Sequence, residues 1–438
     1  MNTIVSKFGG SSVANADQIR KVAAIIKKDT RRRVVVVSAP GKRSKNDEKI
    51  TDILISCHAM ASKGEDFIPR FVLIRERFNE IAAALGLGED FDPVLDEVEK
   101  DIAGGADQSA VVSRGEYLGA RLIAKFLAWE FVDAAELIRF RDTTTVDDGE
   151  TNRLVRTRLT DSGSYVIPGF YGAHANGRVQ LFTRGGSDIS ASLVARAIDA
   201  ELYENWTDVS GLLSADPRVV DGPSPIGQVS YQELRELAYL GAGVFHDEAV
   251  TPVADAGIPI NIRNTNEPEH PGTMILPKEK VAARPRGTRT GVAGKVGFSG
   301  VTVKRSMLSK IADVPARLGT VLGSHGVRMH HCSLGGDTAV AIVESAVFDG
   351  AGKGVYQEVK TVFEAESVER TGPFALVGAV GVDLAVMPDA FGKVLTAFAD
   401  NGLEIRFVTS GYSESSFLIG VDEARYEDAV RLVYTATK

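Results

Sequence analysis

Residues 33–38 read Arg-Val-Val-Val-Val-Ser, and four successive valines leave the surrounding chain few options. A β-branched run without polar alternation has no wet face, so it reads as a strand covered on both sides. Residues 4–8 (Ile-Val-Ser-Lys-Phe) repeat the signal, and the amphipathic stretch 16–28 between them reads as a helix. Strand, helix and strand in close succession make a parallel crossover unit. Strand candidates at 131–133, 165–168, 179–182, 200–206 and 258–262 continue the pattern. Helical stretches at 52–64, through 67–105, and at 115–128, 190–198 and 230–240 lie between them. Residues 1–276 are therefore expected to form a three-layer α/β/α sandwich around a mainly parallel sheet.

At 438 residues the chain exceeds one compact core and suits two or three domains. Its net charge of −8 supplies no basic field for nucleic acid, so local cations must do any phosphate work. Cys57 and Cys332 lie far apart without metal-ligand spacing, and read as reduced, buried thiols. The start runs straight into a strand with no secretory pattern. No window approaches roughly 18 uninterrupted apolar residues, so a cytoplasmic protein without membrane contact is expected.

Composition shifts at residues 277–298. Lys278, Lys280, Arg284, Arg286, Arg289 and Lys295 stand there among glycines and prolines, a pattern expected of a solvated linker. The chain then repeats itself. Strand, helix, strand, strand, helix at 300–303, 314–324, 327–332, 338–343 and 354–364 recur as 375–380, 389–400, 403–409, 416–421 and 424–436. The second copy places its third and fourth segments as strands and its last as a helix, as the first does. Gly326 and Gly402 sit at matching helix ends, where a glycine terminates a helix at little steric cost. Two small α/β modules at 299–370 and 371–438 are expected.

Four constellations carry chemistry. Lys7-Phe8-Gly9-Gly10-Ser11-Ser12 follows the first strand and precedes a helix. There, glycines let backbone N–H groups face an anion, and Lys7 adds a point cation; the plainer alternative is a tight turn. Phe182-Thr183-Arg184-Gly185-Gly186-Ser187-Asp188 repeats the arrangement, with Arg184 suited to a bidentate grip on a carboxylate and Asp188 to a helix N-cap or a site role. Thr207-Asp208 and Asp216-Pro217-Arg218 offer hydroxyl, carboxylate and guanidinium contacts near a strand end. Ser113-Arg114-Gly115-Glu116 reads as the opening of a helix, with Glu116 either a macrodipole partner or a ligand. His330 and His331 are adjacent on a strand, face opposite ways, and suit no common metal.

In this order and spacing, together with Ser38-Ala39 and the paired C-terminal modules, these motifs closely resemble the aspartate kinase family. The resemblance implies an amino-acid-kinase (carbamate-kinase-like) fold with an eight-stranded sheet, plus two βαββαβ ACT modules. It implies ATP- and Mg²⁺-dependent phosphorylation of the aspartate side-chain carboxylate, the first step of lysine, threonine and methionine biosynthesis. Carried over by position, Lys7 neutralises the transferring phosphoryl group, and Gly9, Gly10 and Ser11 hold phosphates. Ser38, Thr51, Glu116 and Arg184 bind aspartate, Asp188 orients the reacting groups, and Thr207, Asp208 and Arg218 contact the nucleotide, while no protein side chain ligates the metal. A lysine or threonine effector is expected near Met307, Asp313, Val314, Asp337 and Thr338, in a homodimer or homotetramer joined through the ACT modules. Leu213 replaces a frequent family tyrosine, and Gly243 replaces a frequent lysine in the stretch Gly241-Ala242-Gly243-Val244-Phe245-His246-Asp247. A sibling kinase for another acidic amino acid, or a sensor with a degenerate kinase domain, are the rival readings.

Overall fold

A computed structural model describes residues 3–160, 162–183, 185–243, 247–411 and 413–437. Two compact units emerge: Met1–Leu212, Pro225–Arg235 and Gly243–Ala282 form the first, and Leu213–Ser224, Glu236–Ala242 and Ala283–Lys438 the second.

The first unit is built on strands β1 (Ile4–Phe8), β2 (Arg32–Val37), β3 (Glu130–Phe131), β4 (Tyr165–Pro168), β5 (Leu202–Thr207), β6 (Gln228–Ser230), β7 (Ile260–Asn264) and β8 (Thr273–Leu276). They form one sheet in the order β6-β8-β7-β5-β1-β2-β4-β3. Every pairing is parallel except β7 with β8. The valine run lies in β2, next to central β1, and Val35, Val36 and Val37 are fully buried. Helices α1 (Ala16–Lys27), α2 (Ile50–Ala61), α3 (Ile68–Ala84), α4 (Asp92–Ala103), α5 (Gln108–Leu127) and α6 (Gly186–Ala197) belong to this unit.

Two expectations change here. The helix expected over 115–128 begins at Gln108, capped by the Asp107 carboxylate on the Ala110 N–H (2.9 Å). Gly115 and Gly119 lie inside the helix where the loop after β2 packs close: a Cβ on Gly115 would meet the Ala39 side chain at 3.0 Å, and one on Gly119 the Pro40 ring at 3.3 Å. Val179–Leu181 does not join the main sheet, but pairs with Tyr171–His174 in a separate three-stranded sheet.

The second unit carries β9 (Arg289–Lys304), β10 (Met329–Leu334), β11 (Thr338–Glu344), β12 (Ser367–Gly381), β13 (Ile405–Thr409) and β14 (Ser416–Asp422) in the order β10-β11-β9-β12-β14-β13, all antiparallel. Helices Val314–Ser324, Ser345–Phe363, Pro388–Asp400 and Tyr426–Ala436 complete the two repeats. The stretch 277–298, expected as linker, is strand from Arg289 onward, with Thr290, Val292 and Phe298 buried. Long β9 and β12 run through both repeats, so the expected division at residue 370 falls inside β12. The sheet curls until its two end strands meet: the His331 ring stacks on Phe407 at 5.3 Å, and the Thr409 hydroxyl lies 3.1 Å from the His331 Nε2.

Candidate active site

From β1 the chain builds outward to β2 on one side, and later returns to place β5 on the other. The carboxyl ends of β1 and β5 therefore flank a topological switch point, where loops diverge and leave a crevice. Several side chains singled out in the sequence stand at these strand ends, Lys7 in β1, Ser38 just after β2 and Thr207 at the end of β5.

Lys7 and Asn205 are partners across the β1–β5 register, as are Ser6 and Glu204. Alternation along a strand sends these two pairs to opposite faces. Ser6 and Arg32 close on buried Glu204, with Ser6 Oγ to Glu204 Oε2 at 2.9 Å and Arg32 bonding both carboxylate oxygens at 2.8 and 2.9 Å. On the other face, Lys7 Nζ lies 2.5 Å from Asp188 Oδ1, and Asn205 Nδ2 donates to the same oxygen at 3.0 Å. The Lys7 ammonium is thus almost enclosed, held at one side by a carboxylate and open towards the glycine loop.

That loop is fixed by backbone. The Gly9 N–H donates to Trp206 O (3.0 Å) and the Ser12 N–H to Gly9 O (2.9 Å), and the chain turns through a short 3₁₀ segment, Gly10–Val13. Among the described residues no hydrogen bond engages the N–H of Gly10 or Ser11. A Cβ on Gly10 would stand 2.9 Å from Ala39 O, and one on Gly41 only 2.6 Å from the Gly10 carbonyl carbon. Two loops cross here, tied by the Gly41 N–H on Gly10 O (2.8 Å). Gly9 serves differently, since a Cβ there would lie 3.8 Å from Lys7 Nζ and cover the ammonium. Ser12 is not free for a ligand, because its hydroxyl is buried 2.7 Å from that of Thr265.

Asp188 is not the N-cap of its helix. Gly185, in the left-handed region at φ 60°, occupies that place, and α6 starts two residues before Asp188. Gly186 allows close packing, because a Cβ would meet Phe170 at 2.7 Å. Glu116 likewise does not open a helix: it lies well inside α5, buried. Among the described residues its Oε2 has no partner. Burial pushes its pKa up to about 8, against the opposing hydrogen bond from the Ala39 N–H. Ser38 follows β2, its N–H on Phe8 O (3.1 Å), and half-buried Thr51 lies in the first turn of α2, beside Ile50, which packs on Gly115. Lys7, the glycine loop, Ser38, Thr51, Glu116 and Asp188 all belong to the first unit. Arg184, Val244, Phe245 and His246 lie outside the described residues.

The nucleotide residues divide. Thr207 ends β5 and donates to Asp208 Oδ1 (3.2 Å) in the first unit, whereas Arg218 belongs to the second, exposed and paired with Asp216 at 2.7 Å. Leu213 is 41% exposed, and a side chain on Gly243 would meet open space. Within the second unit the effector candidates come together. The Met307 N–H donates to Asp337 Oδ1 (2.7 Å), Met307 and Asp313 both have left-handed backbone (φ 58° and 59°), Val314 starts a helix, and Thr338 starts β11.

The profile of the amino acid kinase family matches residues 2–264, and an ACT domain profile matches residues 377–437. Aspartokinase 3 of Bacillus subtilis is 33% identical over 98% of this chain and 97% of its own length. The chain belongs to the amino acid kinase family, among its aspartokinases. As a member of that family it is a phosphotransferase that uses a nucleotide. The crystal structure of Clostridium acetobutylicum aspartate kinase, described as an allosteric enzyme, superposes with a TM-score of 0.95 at 40% identity, over 99% of this chain and 100% of that one. Escherichia coli aspartokinase III, solved with aspartate and ADP, shares the fold at a TM-score of 0.77 and 23% identity, over 99% of each chain. Among the described residues no helix is long and apolar enough to cross a membrane.

Three aspartokinase residues escaped the sequence reading. Gly41 was findable, since Ala39-Pro40-Gly41 after a buried strand marks a turn. Arg77, buried and bonded to the carbonyls of Gly41 and Glu48, lies in the stretch 67–105, which read only as helical. Asn205 needs the β1–β5 register, which no local pattern discloses.

Proposed function

We propose that this aspartokinase transfers the γ-phosphoryl group of ATP to the side-chain carboxylate of L-aspartate, giving 4-phospho-L-aspartate. The observation that carries this reading is Glu116, a buried carboxylate with one unpartnered oxygen beside the Ser38-Ala39 turn. Such a group is costly to keep unless a cationic donor arrives, and the α-ammonium of an amino acid is one. Arg184 takes the α-carboxylate, and Ser38 and Thr51 bound the substrate, leaving the side-chain carboxylate free to attack.

The nucleophile has a reference pKa near ~3.9 and is ionised at neutral pH, so no general base is required. The obstacle is repulsion between two anions. Lys7, held by Asp188, and the N–H groups of Gly10 and Ser11 stabilise the transferring oxygens, while Gly9 keeps the ammonium uncovered. Thr207, Asp208 and Arg218 contact the nucleotide. The donor set at the glycine loop is N–H and ammonium, which fits phosphate, and Asp188 is already taken by Lys7. Mg²⁺ therefore fits as an ion carried on the phosphates, where it neutralises charge. Holding both substrates in line contributes roughly 7–11 kcal/mol in favourable cases.

Lysine or threonine binding at the Met307 and Asp337 turns regulates turnover, and the ACT modules join copies of the chain into a homodimer or homotetramer. E. coli aspartokinase III solved with lysine and aspartate supports an amino-acid effector. Phosphorus NMR of a reaction with ATP, Mg²⁺ and L-aspartate tests the main claim: an acyl-phosphate resonance is expected, and ADP formed without it would count against the reading.

A further inference from the structure

We propose that Asn205 is a positioning residue for phosphoryl transfer, holding the Asp188 carboxylate so that it anchors Lys7. This rests on the role given to Lys7 above. Asn205 is 5% exposed, and among the described residues only its amide nitrogen is used: Nδ2 donates to Asp188 Oδ1 at 3.0 Å, while Oδ1 is buried without a partner. A leucine would fill the same space and bury no unpaired acceptor. An amide left half-satisfied in the interior is explained by what its other half does. Turning the amide over would set its oxygen against a carboxylate oxygen, so its orientation is fixed by chemistry.

Asp188 has a competing partner. It stands in the first turn of α6, whose N-cap is Gly185 and receives no side-chain cap. Among the described residues no hydrogen bond engages the N–H of Gly186 or Ser187, and N–H groups at a helix start attract a carboxylate at this position. Asn205 and Lys7 face Asp188 from neighbouring strands and hold its Oδ1 on the crevice side. Without the amide donor, Asp188 is free to turn back to its own helix, and the Lys7 ammonium loses its anchor beside the glycine loop. Tyr203, whose hydroxyl donates to the Asp188 carbonyl at 3.4 Å, holds backbone and cannot substitute.

The test is Asn205→Leu, with Asn205→Ser as a second variant that cannot overpack, both checked for wild-type thermal unfolding. Single-turnover acyl-phosphate formation, trapped with hydroxylamine, resolves slow variants. The expected result is a fall of roughly ten- to hundredfold in the rate, with KM for both substrates within about twofold. In an Asp188→Asn background the same changes should alter the rate less than about twofold, since the amide acts through that carboxylate. Folded variants that keep the wild-type rate, or that lose the same factor in both backgrounds, overturn the proposal. Lys7→Ala run alongside separates the layers: an intact rate there defeats the role of Lys7, while a large loss there with an intact Asn205→Leu rate defeats only this inference.

Discussion

The two sheets of this aspartokinase solve different problems with different hydrogen-bond patterns. The parallel sheet of the first unit sends successive strands the same way, so β1, β2 and β5 deliver their loops to one end. Charge gathers there in the Lys7–Asp188 pair, beside the N–H groups of the glycine loop. The antiparallel sheet of the second unit sends loops to both ends and curls until β10 meets β13. Its chemistry is spread over exposed turns such as those at Met307 and Asp337, tied by the Met307 N–H on Asp337 Oδ1 and by the Arg305 and Ser309 N–H groups on the carbonyls of Asp337 and Gly336. Buried strand ends suit bond-making, and exposed turns suit a response to a bound amino acid. The comparison predicts that damage to the first unit appears in turnover, and damage to the second in regulation or stability.

The largest effect should come from Lys7→Ala. Removing the buried Lys7 ammonium at the glycine loop is expected to lower kcat by roughly 10²–10³, with KM for aspartate changed only a few-fold, as measured by steady-state kinetics. Glu116→Gln comes next. Losing a charged partner for the ammonium should weaken aspartate binding by about ten- to hundredfold, measured by calorimetry. Because burial holds the Glu116 pKa at about 8, the free enzyme carries that proton at neutral pH, and aspartate expels it on binding. Wild-type affinity should therefore rise from about pH 6 to about pH 8 and then level, with the change absent in Glu116→Gln. The stability sign is the reverse: the folded-state pKa is raised, so the contribution is complete below the ordinary carboxylate range and is lost as pH rises through about 8.

In the second unit, Asp337→Ala removes the acceptor for the Met307 N–H. It should abolish the effector response, a coupling of about 1–3 kcal/mol, while uninhibited kcat stays within about twofold. Inhibition assays with lysine and threonine check this. The smallest effects are a matched pair of glycines. A Cβ on Gly378 would lie 2.6 Å from Phe417 O and 2.8 Å from Leu240, so Gly378→Ala should cost about 1–3 kcal/mol in thermal or denaturant unfolding and leave turnover alone. Gly10→Ala meets Ala39 O at 2.9 Å, and by forcing apart the crossed loops should lower turnover as well as stability.

Much of the first unit was legible because its signals are local. The valines of β2, the Lys7 and Gly9-Gly10 motif, and the Asp188 turn each lie on consecutive residues. What escaped depends on distant pairing. Asn205 matters only because β5 lies beside β1, and Gly41 only because its loop crosses Gly10. A glycine misled where it serves close approach instead of turning, as in α5, where Gly115 read as part of a helix start. In the second unit the repeat was visible, but the full lengths of β9 and β12 were not, since polar residues flank their buried stretches and, at the start of β9, read as linker.

The measurement that tests the central claim most directly is hydroxamate formation in the presence of ATP, Mg²⁺ and hydroxylamine, comparing L-aspartate, L-glutamate and no acceptor. The account predicts product with aspartate and none in the other two. Product with glutamate at an equal rate, or none with either acid from folded protein, would contradict it.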